Sequence, residues 1–339
     1  MEPRFLLTFA FISVASVVSH ATLSAEQYWS SMLPNTPMPK SIKDLLSSDF
    51  LEDKSTSVNV GKGGVNVHAP KGKPGGTSVG VGKGGVNVHT GHKGKPVYVG
   101  VKPGSNPFDY IYAATEDQLH DDPNVALFFL EKNLRPATKL TLHFPKTSLP
   151  ESTFLPHQVA KNLPFSSHKL PQIFDQFSVK PTTLEAELIE RTIKECEAPN
   201  MVGEDKYCAT SLESMVDFSI SKLGNKVTAI STQVEKDTNL QEFTVSGVAK
   251  KSVHDKAVVC HKQSYPYAVF YCHATQHTRA YKVSLVGADG TRVDAVAVCH
   301  TDTSAWNPKH LAFQVLKVKP GTVPVCHFLP QDHVVWVSN

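Results

Sequence analysis

One dipeptide, Cys-His, occurs four times in the C-terminal third of this 339-residue chain. The four copies use four of the six cysteines, and the segments between them are 10, 25 and 25 residues long. Thiolate sulfur and imidazole nitrogen are both good ligands for transition metals, and cysteine also forms disulfides. The repeated pair therefore predicts a metal site, a disulfide scaffold, or both, and its copies are Cys260-His261, Cys272-His273, Cys299-His300 and Cys326-His327.

Strand geometry determines what such a pair can do. Neighbouring side chains on a strand point to opposite faces of the sheet, so each cysteine and its histidine are separated. If the pairs lie on strands, the four cysteines can converge in one layer and the four histidines in another. The alternative is that each histidine is a surface or hydrogen-bonded residue that merely follows a structural cysteine.

The N-terminus predicts the compartment. Residues 1–21 contain one basic residue, Arg4, an apolar run from Phe5 to Val18, and the small-residue ending Ser19-His20-Ala21. This pattern is typical of a secretory signal peptide. Because a membrane span needs about 20 apolar residues and no later segment approaches that length, we expect a soluble, exported protein without a membrane span.

Export favours disulfides, so all six cysteines are expected to pair. Cys196 and Cys208 flank a short loop and form a local pair by this reasoning, while the connectivity of the other cysteines stays open. With sulfur occupied, histidine is the remaining ligand for a transition metal, and copper ranks above zinc in affinity. The predicted copper ligands, with zinc as second choice, are His261, His273, His300 and His327, and the predicted disulfide cysteines are Cys196, Cys208, Cys260, Cys272, Cys299 and Cys326.

A basic low-complexity tract occupies residues 56–104. It holds 14 of the 20 glycines, seven lysines and no acidic residue, and a unit beginning Thr56-Ser57-Val58 recurs 21 residues later at Thr77-Ser78-Val79. Its alternating valines allow an extended conformation, but two units cannot bury a core, so we expect disorder. The tract is either a flexible linker or a cationic arm for an acidic polymer such as pectate. The lysines of the arm are Lys62, Lys71, Lys73, Lys83, Lys93, Lys95 and Lys102.

Nucleic acid is not an expected partner of this arm, because the exported chain lacks clustered aromatic residues and arginines. The acidic partner is expected to be a cell-wall polysaccharide or a wall protein. Oligomeric state is left open by the sequence.

The remaining chain divides into a short N-terminal module (22–55), a connecting segment (105–127) and a C-terminal domain (128–339). The domain is predicted to be mainly β with a few helices, an α+β fold. Thr182 and Thr210 are predicted helix N-caps, and Gly224 is a predicted helix stop. Predicted strands, rich in β-branched and aromatic residues, are Val227–Val234, Phe243–Val248, Lys256–His261, Val269–His273, Tyr281–Val286, Val293–His300, Phe313–Val318 and Val334–Val337.

These features together resemble the plant BURP-domain family, in its dehydration-responsive subclass. The four Cys-His pairs have the family spacing, and Phe128-Phe129 stands near the domain start as in the family. The segments around Tyr265-Pro266-Tyr267 and from Asp302 to Pro308 are also similar to family sequences. The Gly/Val/Lys repeats before the domain indicate the subclass.

The resemblance implies a role in the plant cell wall or apoplast and in drought, salt and abscisic-acid responses. Some relatives are enzymes that bind copper through the Cys-His motif and use dioxygen to crosslink an aromatic side chain in a core peptide of the same chain. Here the repeats contain neither Trp nor Tyr, and the candidate substrate residues elsewhere are Trp29, Tyr98, Tyr110 and Tyr112. Enzymatic activity is therefore left uncertain.

Three functions stay open: a stress-response wall protein, a copper-dependent oxidative peptide cyclase, and a non-catalytic copper-binding protein. Weaker candidates for the metal site are His277, His310 and His333. No Ser-His-Asp order, phosphate loop or pair of catalytic carboxylates is evident, so hydrolase chemistry is not expected.

Overall fold

A computed structural model describes the chain over most of its C-terminal domain and over parts of its N-terminal region. The predicted signal peptide, the seven lysines of the arm, and Tyr98, Tyr110 and Tyr112 lie outside the described residues. The described ranges are 23–46, 58–61, 64–67, 78–82, 85–89, 128–144, 152–200, 203–236, 239–275, 277–306, 308 and 310–339.

Seven α-helices and sixteen strands lie within these ranges. The helices are α1 (Ala25–Met32), α2 (Lys40–Lys43), α3 (His157–Asn162), α4 (Leu170–Gln176), α5 (Leu184–Glu197), α6 (Leu212–Leu223) and α7 (Leu311–Leu316). The strands are β1 (Val58–Gly61), β2 (Gly64–Val67), β3 (Ser78–Gly82), β4 (Gly85–His89), β5 (Phe128–Leu130), β6 (Lys139–Leu142), β7 (Glu204–Ala209), β8 (Val227–Ile230), β9 (Gln233–Val234), β10 (Gln241–Lys250), β11 (Ala257–Lys262), β12 (Phe270–Thr275), β13 (Thr278–Gly287), β14 (Arg292–His300), β15 (Val325–Phe328) and β16 (Val334–Ser338). The prediction of a mainly β fold with a few helices is confirmed.

Two antiparallel sheets form the domain. One has seven strands in the order β5-β15-β14-β13-β10-β6, with β9 pairing to β14, and the other has five in the order β7-β12-β11-β16-β8. Small and β-branched side chains from both sheets form one buried cluster, in which Val259 and Val335 meet Val296 and Val298. The two sheets therefore pack face to face.

Each sheet also has an outer face with its own core. Helix α6 covers the five-stranded sheet, where Met215 joins Val258 and Phe270 in one cluster. On the seven-stranded sheet, Phe243 and Phe328 belong to a second cluster. The layer between the sheets is thus enclosed on both sides by packed hydrophobic cores.

The N-terminal module is part of this packing. Trp29 of α1 is buried, its ring centroid lies 5.3 Å from that of Trp336, and its indole Nε1 donates to the Thr36 carbonyl over 2.8 Å. Burial of a large apolar ring such as that of Trp29 stabilises the fold through the hydrophobic effect. The module therefore packs on the domain, although the two are separated along the sequence by the repeat tract.

Within the repeat tract the structure describes four short strands. β1 pairs with β2 and β3 pairs with β4, both antiparallel, so that each repeat supplies one hairpin. Valine stands opposite valine in both hairpins, at Val58 and Val67 and at Val79 and Val88. The sequence alternates valine with small residues along these segments. This pattern allows an extended conformation and accounts for the pairing.

Two local predictions were wrong in detail. The predicted strand Phe313–Val318 is helical over most of its length, because α7 covers residues 311–316; short apolar runs fit either structure. The helix N-caps are Thr183 and Ser211, each one residue after the predicted threonine. Gly224 ends α6 as predicted, with a positive φ of 82° that favours glycine.

In the described part of the chain, no helix is both long and apolar enough to cross a membrane.

Candidate metal centre

Strand register brings the four Cys-His pairs together two by two. Cys260 of β11 lies directly opposite Cys272 of β12, and Cys299 of β14 lies directly opposite Cys326 of β15. Their Cα atoms are 3.9 and 4.0 Å apart, and each facing pair forms a disulfide. The third disulfide joins Cys196 and Cys208, as predicted, so the six cysteines are all paired.

The cysteines do not share one layer. Cys260 and Cys272 lie in the core under α6, whereas Cys299 and Cys326 lie in the outer core of the other sheet. The sequence could not show this separation, because it depends on which sheet each strand joins. Each disulfide fastens one strand pair of one sheet.

The histidines, by contrast, share the layer between the sheets. His273 stands opposite Val259, and His327 stands opposite Val298; both valines belong to the cluster between the sheets. His261 follows Val259 by two residues and His300 follows Val298 by two, so they face the same way. Two strands from each sheet therefore place four imidazoles in one layer, in which His273, His300 and His327 are buried and His261 is half-buried.

The four rings form a closed set of near-parallel neighbours. Successive ring centroids are 5.2 Å apart for His261 and His273, 6.4 Å for His273 and His300, 5.7 Å for His300 and His327, and 6.5 Å for His327 and His261. The rings are inclined to their neighbours by 17° to 25°. The Nε2 atoms of His261 and His273 are 3.2 Å apart.

Each of these histidines has a neighbour at Nδ1. His327 Nδ1 donates to the Phe328 carbonyl over 3.2 Å, and His261 Nδ1 lies 2.9 Å from His333 Nδ1. His273 Nδ1 lies 2.7 Å from a carboxylate oxygen of Glu204, an ion-pair distance at which the atoms are not aligned for a full hydrogen bond. His300 Nδ1 lies 3.4 Å from the Thr278 hydroxyl. Because Nδ1 has a polar neighbour in each case, and the Nε2 atoms of His261 and His273 face each other, Nε2 is the nitrogen that these rings could offer to a metal ion.

Burial keeps several of these rings neutral. It lowers the pKa of His261 and of His300 well below the usual value, and the neighbouring imidazoles lower it further. The pKa of His327 falls to about 3, mainly because the ring is desolvated. A neutral imidazole is the form that binds a metal ion, so the electrostatics of the layer suit a ligand role.

The donor set fits copper in its chemistry and partly in its geometry. Two nitrogens bound to one ion at about 2.0 Å are about 2.8 Å apart at the right angle of a square-planar Cu(II) site and about 3.3 Å apart at a tetrahedral angle, so the 3.2 Å between His261 Nε2 and His273 Nε2 lies nearer the tetrahedral value. Among the described residues, no three His, Cys, Asp or Glu side chains already have the spacing of a bound ion. A third ligand therefore requires a side-chain rotation at His300 or His327.

Comparison with known proteins identifies the family. The sequence model of the BURP domain matches residues 127–338. The chain belongs to the BURP-domain family. It is 50% identical to BURP domain protein RD22 of Arabidopsis thaliana over 99% of this chain and 98% of that protein, and 46% identical to rice BURP domain-containing protein 3 over the whole of both. Protein RAFTIN 1B of wheat is 32% identical over 99% of this chain and 98% of its own.

Aromatic side chains border the histidine layer of this BURP domain. The Trp306 ring centroid lies 5.0 Å from that of His300 and 4.7 Å from that of His310. Tyr271 lies 5.8 Å from His273, measured between ring centroids. Oxidisable rings are therefore next to two of the four candidate ligands.

The three weaker histidine candidates have different positions. His333 contacts His261, so it belongs to the surroundings of the site. His310 caps α7 by accepting a hydrogen bond from the Ala312 amide at Nδ1, and it packs against Trp306. His277 is exposed, in agreement with its predicted surface position.

Sequence reasoning missed Glu204 and Trp306. Glu204 begins β7, which pairs with β12 so that Lys206 lies opposite His273. Only this register brings the carboxylate to the histidine, and no sequence motif reports a register. Trp306 was noted only as part of a family segment, and its contact with His300 depends on the loop between β14 and α7.

Proposed function

We propose that this BURP-domain protein is secreted to the plant cell wall and acts there in the response to dehydration, salt and abscisic acid. Similarity to RD22 along nearly the whole of both chains supports the assignment to the dehydration-responsive subclass. The signal-peptide pattern in residues 1–21 and the disulfide pairing of all six cysteines support export, since disulfides persist in oxidising compartments.

The domain holds copper through His261, His273, His300 and His327. The observation that carries this proposal is that four imidazoles from two sheets, three of them buried and His261 half-buried, share one layer in which each Nδ1 has a polar neighbour. Because the cysteines are in disulfides, sulfur does not compete as a ligand. Copper, when bound, would supply reversible one-electron chemistry, and zinc is the second choice of ion.

Copper binding is tested by metal analysis and calorimetric titration of the purified full-length protein. Wild type is expected to bind copper, whereas His273→Ala and His300→Ala bind it at least tenfold more weakly, because each removes one ligand. His277→Ala, which alters an exposed histidine outside the layer, is the matched control and is expected to bind as wild type does. Equal binding by all four proteins would refute the histidine site.

The Lys-rich arm binds acidic wall polysaccharide. Support comes from seven lysines with no acidic residue in residues 56–104, which give a local positive field. Retention on immobilised pectate is expected for the intact protein, is lost when residues 56–104 are removed, and weakens as salt screens the charges. If the shortened protein is retained as strongly as the intact one, the arm is not the binding element.

A second candidate function is copper-dependent oxidation of a peptide, as in the cyclase members of the family. Trp306 and Tyr271 beside the histidine layer favour it, because they are oxidisable rings of the same chain. Incubation with copper in air and without oxygen, followed by peptide mass spectrometry, separates the alternatives. Loss of two hydrogen masses from an aromatic peptide in air alone would indicate crosslinking; no loss in any peptide would leave non-catalytic copper binding.

A further inference from the structure

A buried carboxylate faces the back of one candidate ligand. Glu204 is 7% exposed, and its Oε1 lies 2.7 Å from His273 Nδ1. The nearby ammonium of Lys206 donates instead to the Glu195 carbonyl over 2.7 Å. His273 is thus the close polar neighbour toward which the carboxylate is directed.

A buried carboxylate is costly unless it is paired or hydrogen-bonded. An N–H at His273 Nδ1 would be attracted to the negative oxygen, whereas a lone pair there would be repelled by it. The carboxylate therefore selects the tautomer that has its proton on Nδ1 and a lone pair on Nε2. That lone pair points at His261 Nε2, 3.2 Å away.

Two nitrogen lone pairs facing each other would repel, so either a proton or a metal ion must lie between these two Nε2 atoms. Without metal, His261 can satisfy the pair by donating its own Nε2 proton, with its Nδ1 accepting from His333. A metal ion would be held there by the Nε2 lone pairs of both histidines, with the His261 proton on Nδ1 instead, where His333 Nδ1 accepts it. Glu204 keeps the same orientation in both states, so it prepares His273 as a ligand before the ion arrives.

We propose that Glu204 is a positioning residue of the copper site, holding His273 in the tautomer and ring orientation that present Nε2 to the ion. This inference rests on the proposed copper function. A carboxylate beside the second ring nitrogen of a metal-binding histidine orients the ring and raises its basicity, and loss of such a partner typically weakens metal binding about 10- to 100-fold.

The test uses the full-length protein with Cu(II) as the probe, and measures affinity by calorimetry and ligand geometry by electron paramagnetic resonance. Glu204→Gln removes the charge with nearly the same shape, and is expected to weaken copper binding about 10- to 100-fold and to change the Cu(II) spectrum. Glu204→Asp keeps the charge on a shorter side chain and is expected to recover part of the affinity. Glu213→Gln is the control, since Glu213 is a similarly buried glutamate on α6, away from the histidine layer.

A double-mutant cycle distinguishes positioning from a general structural effect. In a His273→Ala background, Glu204→Gln is expected to cause no further loss of copper affinity, because the ring it positions is gone. Thermal unfolding of the metal-free variants checks that each is folded; if Glu204→Gln is not, Glu204→Asp carries the comparison. Wild-type affinity and spectrum in the Glu204 variants would overturn this inference alone, whereas a wild type that binds no copper would overturn the copper function and this inference with it.

Discussion

At the scale of single residues, each Cys-His pair places a disulfide-forming cysteine and a candidate metal-binding histidine on opposite faces of one strand. Alternation along the strand sends sulfur to an outer core and nitrogen to the layer between the sheets, so neither group competes for the other's position. The sequence predicted correctly that each cysteine and its histidine face opposite ways, but the expected single layer of four cysteines was wrong, since they lie in two separate cores. It could not predict Glu204 beside the imidazoles, because that contact arises from the pairing of β7 with β12, strands that are distant along the chain.

Burial of His327 predicts a pH-dependent stability in the metal-free protein. Its pKa falls from 6.5 to about 3 in the folded state, so the unfolded chain takes up a proton first as the pH is lowered. The stability is fully present above about pH 6.5 and is lost progressively as the pH falls toward about 3. The contribution of one such group reaches about 1.4 kcal/mol per pH unit within this range.

Denaturant unfolding at pH 7, 5 and 4 in the presence of a chelator measures this dependence. His327→Gln is expected to show a shallower fall in unfolding free energy than wild type, apart from any constant packing loss. His168→Gln, which alters an exposed histidine, should retain the wild-type slope. If the unfolding free energy of His327→Gln falls with pH as steeply as that of wild type, the buried His327 ring is not a source of this pH dependence.

At the scale of helices and strands, hydrophobic pattern predicted most of the domain but not its pairings. The predicted strands around both halves of the motif are present, because runs such as Val293–His300 are long and rich in β-branched residues. The run Phe313–Val318 is too short for its pattern to distinguish a strand from a helix. Most of it is helical, and Phe313 packs against Trp306. Register, which positions every histidine, has no signal in a single strand.

The packing of α1 on the domain predicts that Trp29 stabilises the whole fold. Trp29 is 3% exposed, and Trp29→Ala is expected to lower the unfolding free energy by about 3–5 kcal/mol, because it removes a large buried ring and leaves a cavity. Met32→Ala in the same helix is the control: Met32 is 38% exposed and should change stability by about 0.5 kcal/mol or less. Similar denaturant midpoints for the two variants would show that α1 is not part of the cooperative core.

At the scale of the whole molecule, the histidine layer is where the two sheets meet. His261 and His273 come from the five-stranded sheet, and His300 and His327 come from the seven-stranded sheet. Each disulfide of the motif acts within one sheet, so the disulfides do not join the sheets to each other. A metal ion bound by histidines of both sheets would supply the connection that the sulfur bonds lack.

This arrangement predicts that copper raises the stability of the whole domain and that the gain needs ligands from both sheets. Free copper at 100 times its dissociation constant is expected to add about 2.7 kcal/mol to the unfolding free energy of wild type, measured by denaturant unfolding with and without the ion. At the same copper concentration, His273→Ala and His300→Ala should each lose about half of this gain or more, since each removes a ligand from a different sheet and a tenfold weaker affinity lowers the gain to about 1.4 kcal/mol. If His300→Ala keeps the full gain while His273→Ala loses it, the ion is held by the His261 and His273 sheet alone, and copper does not join the two sheets.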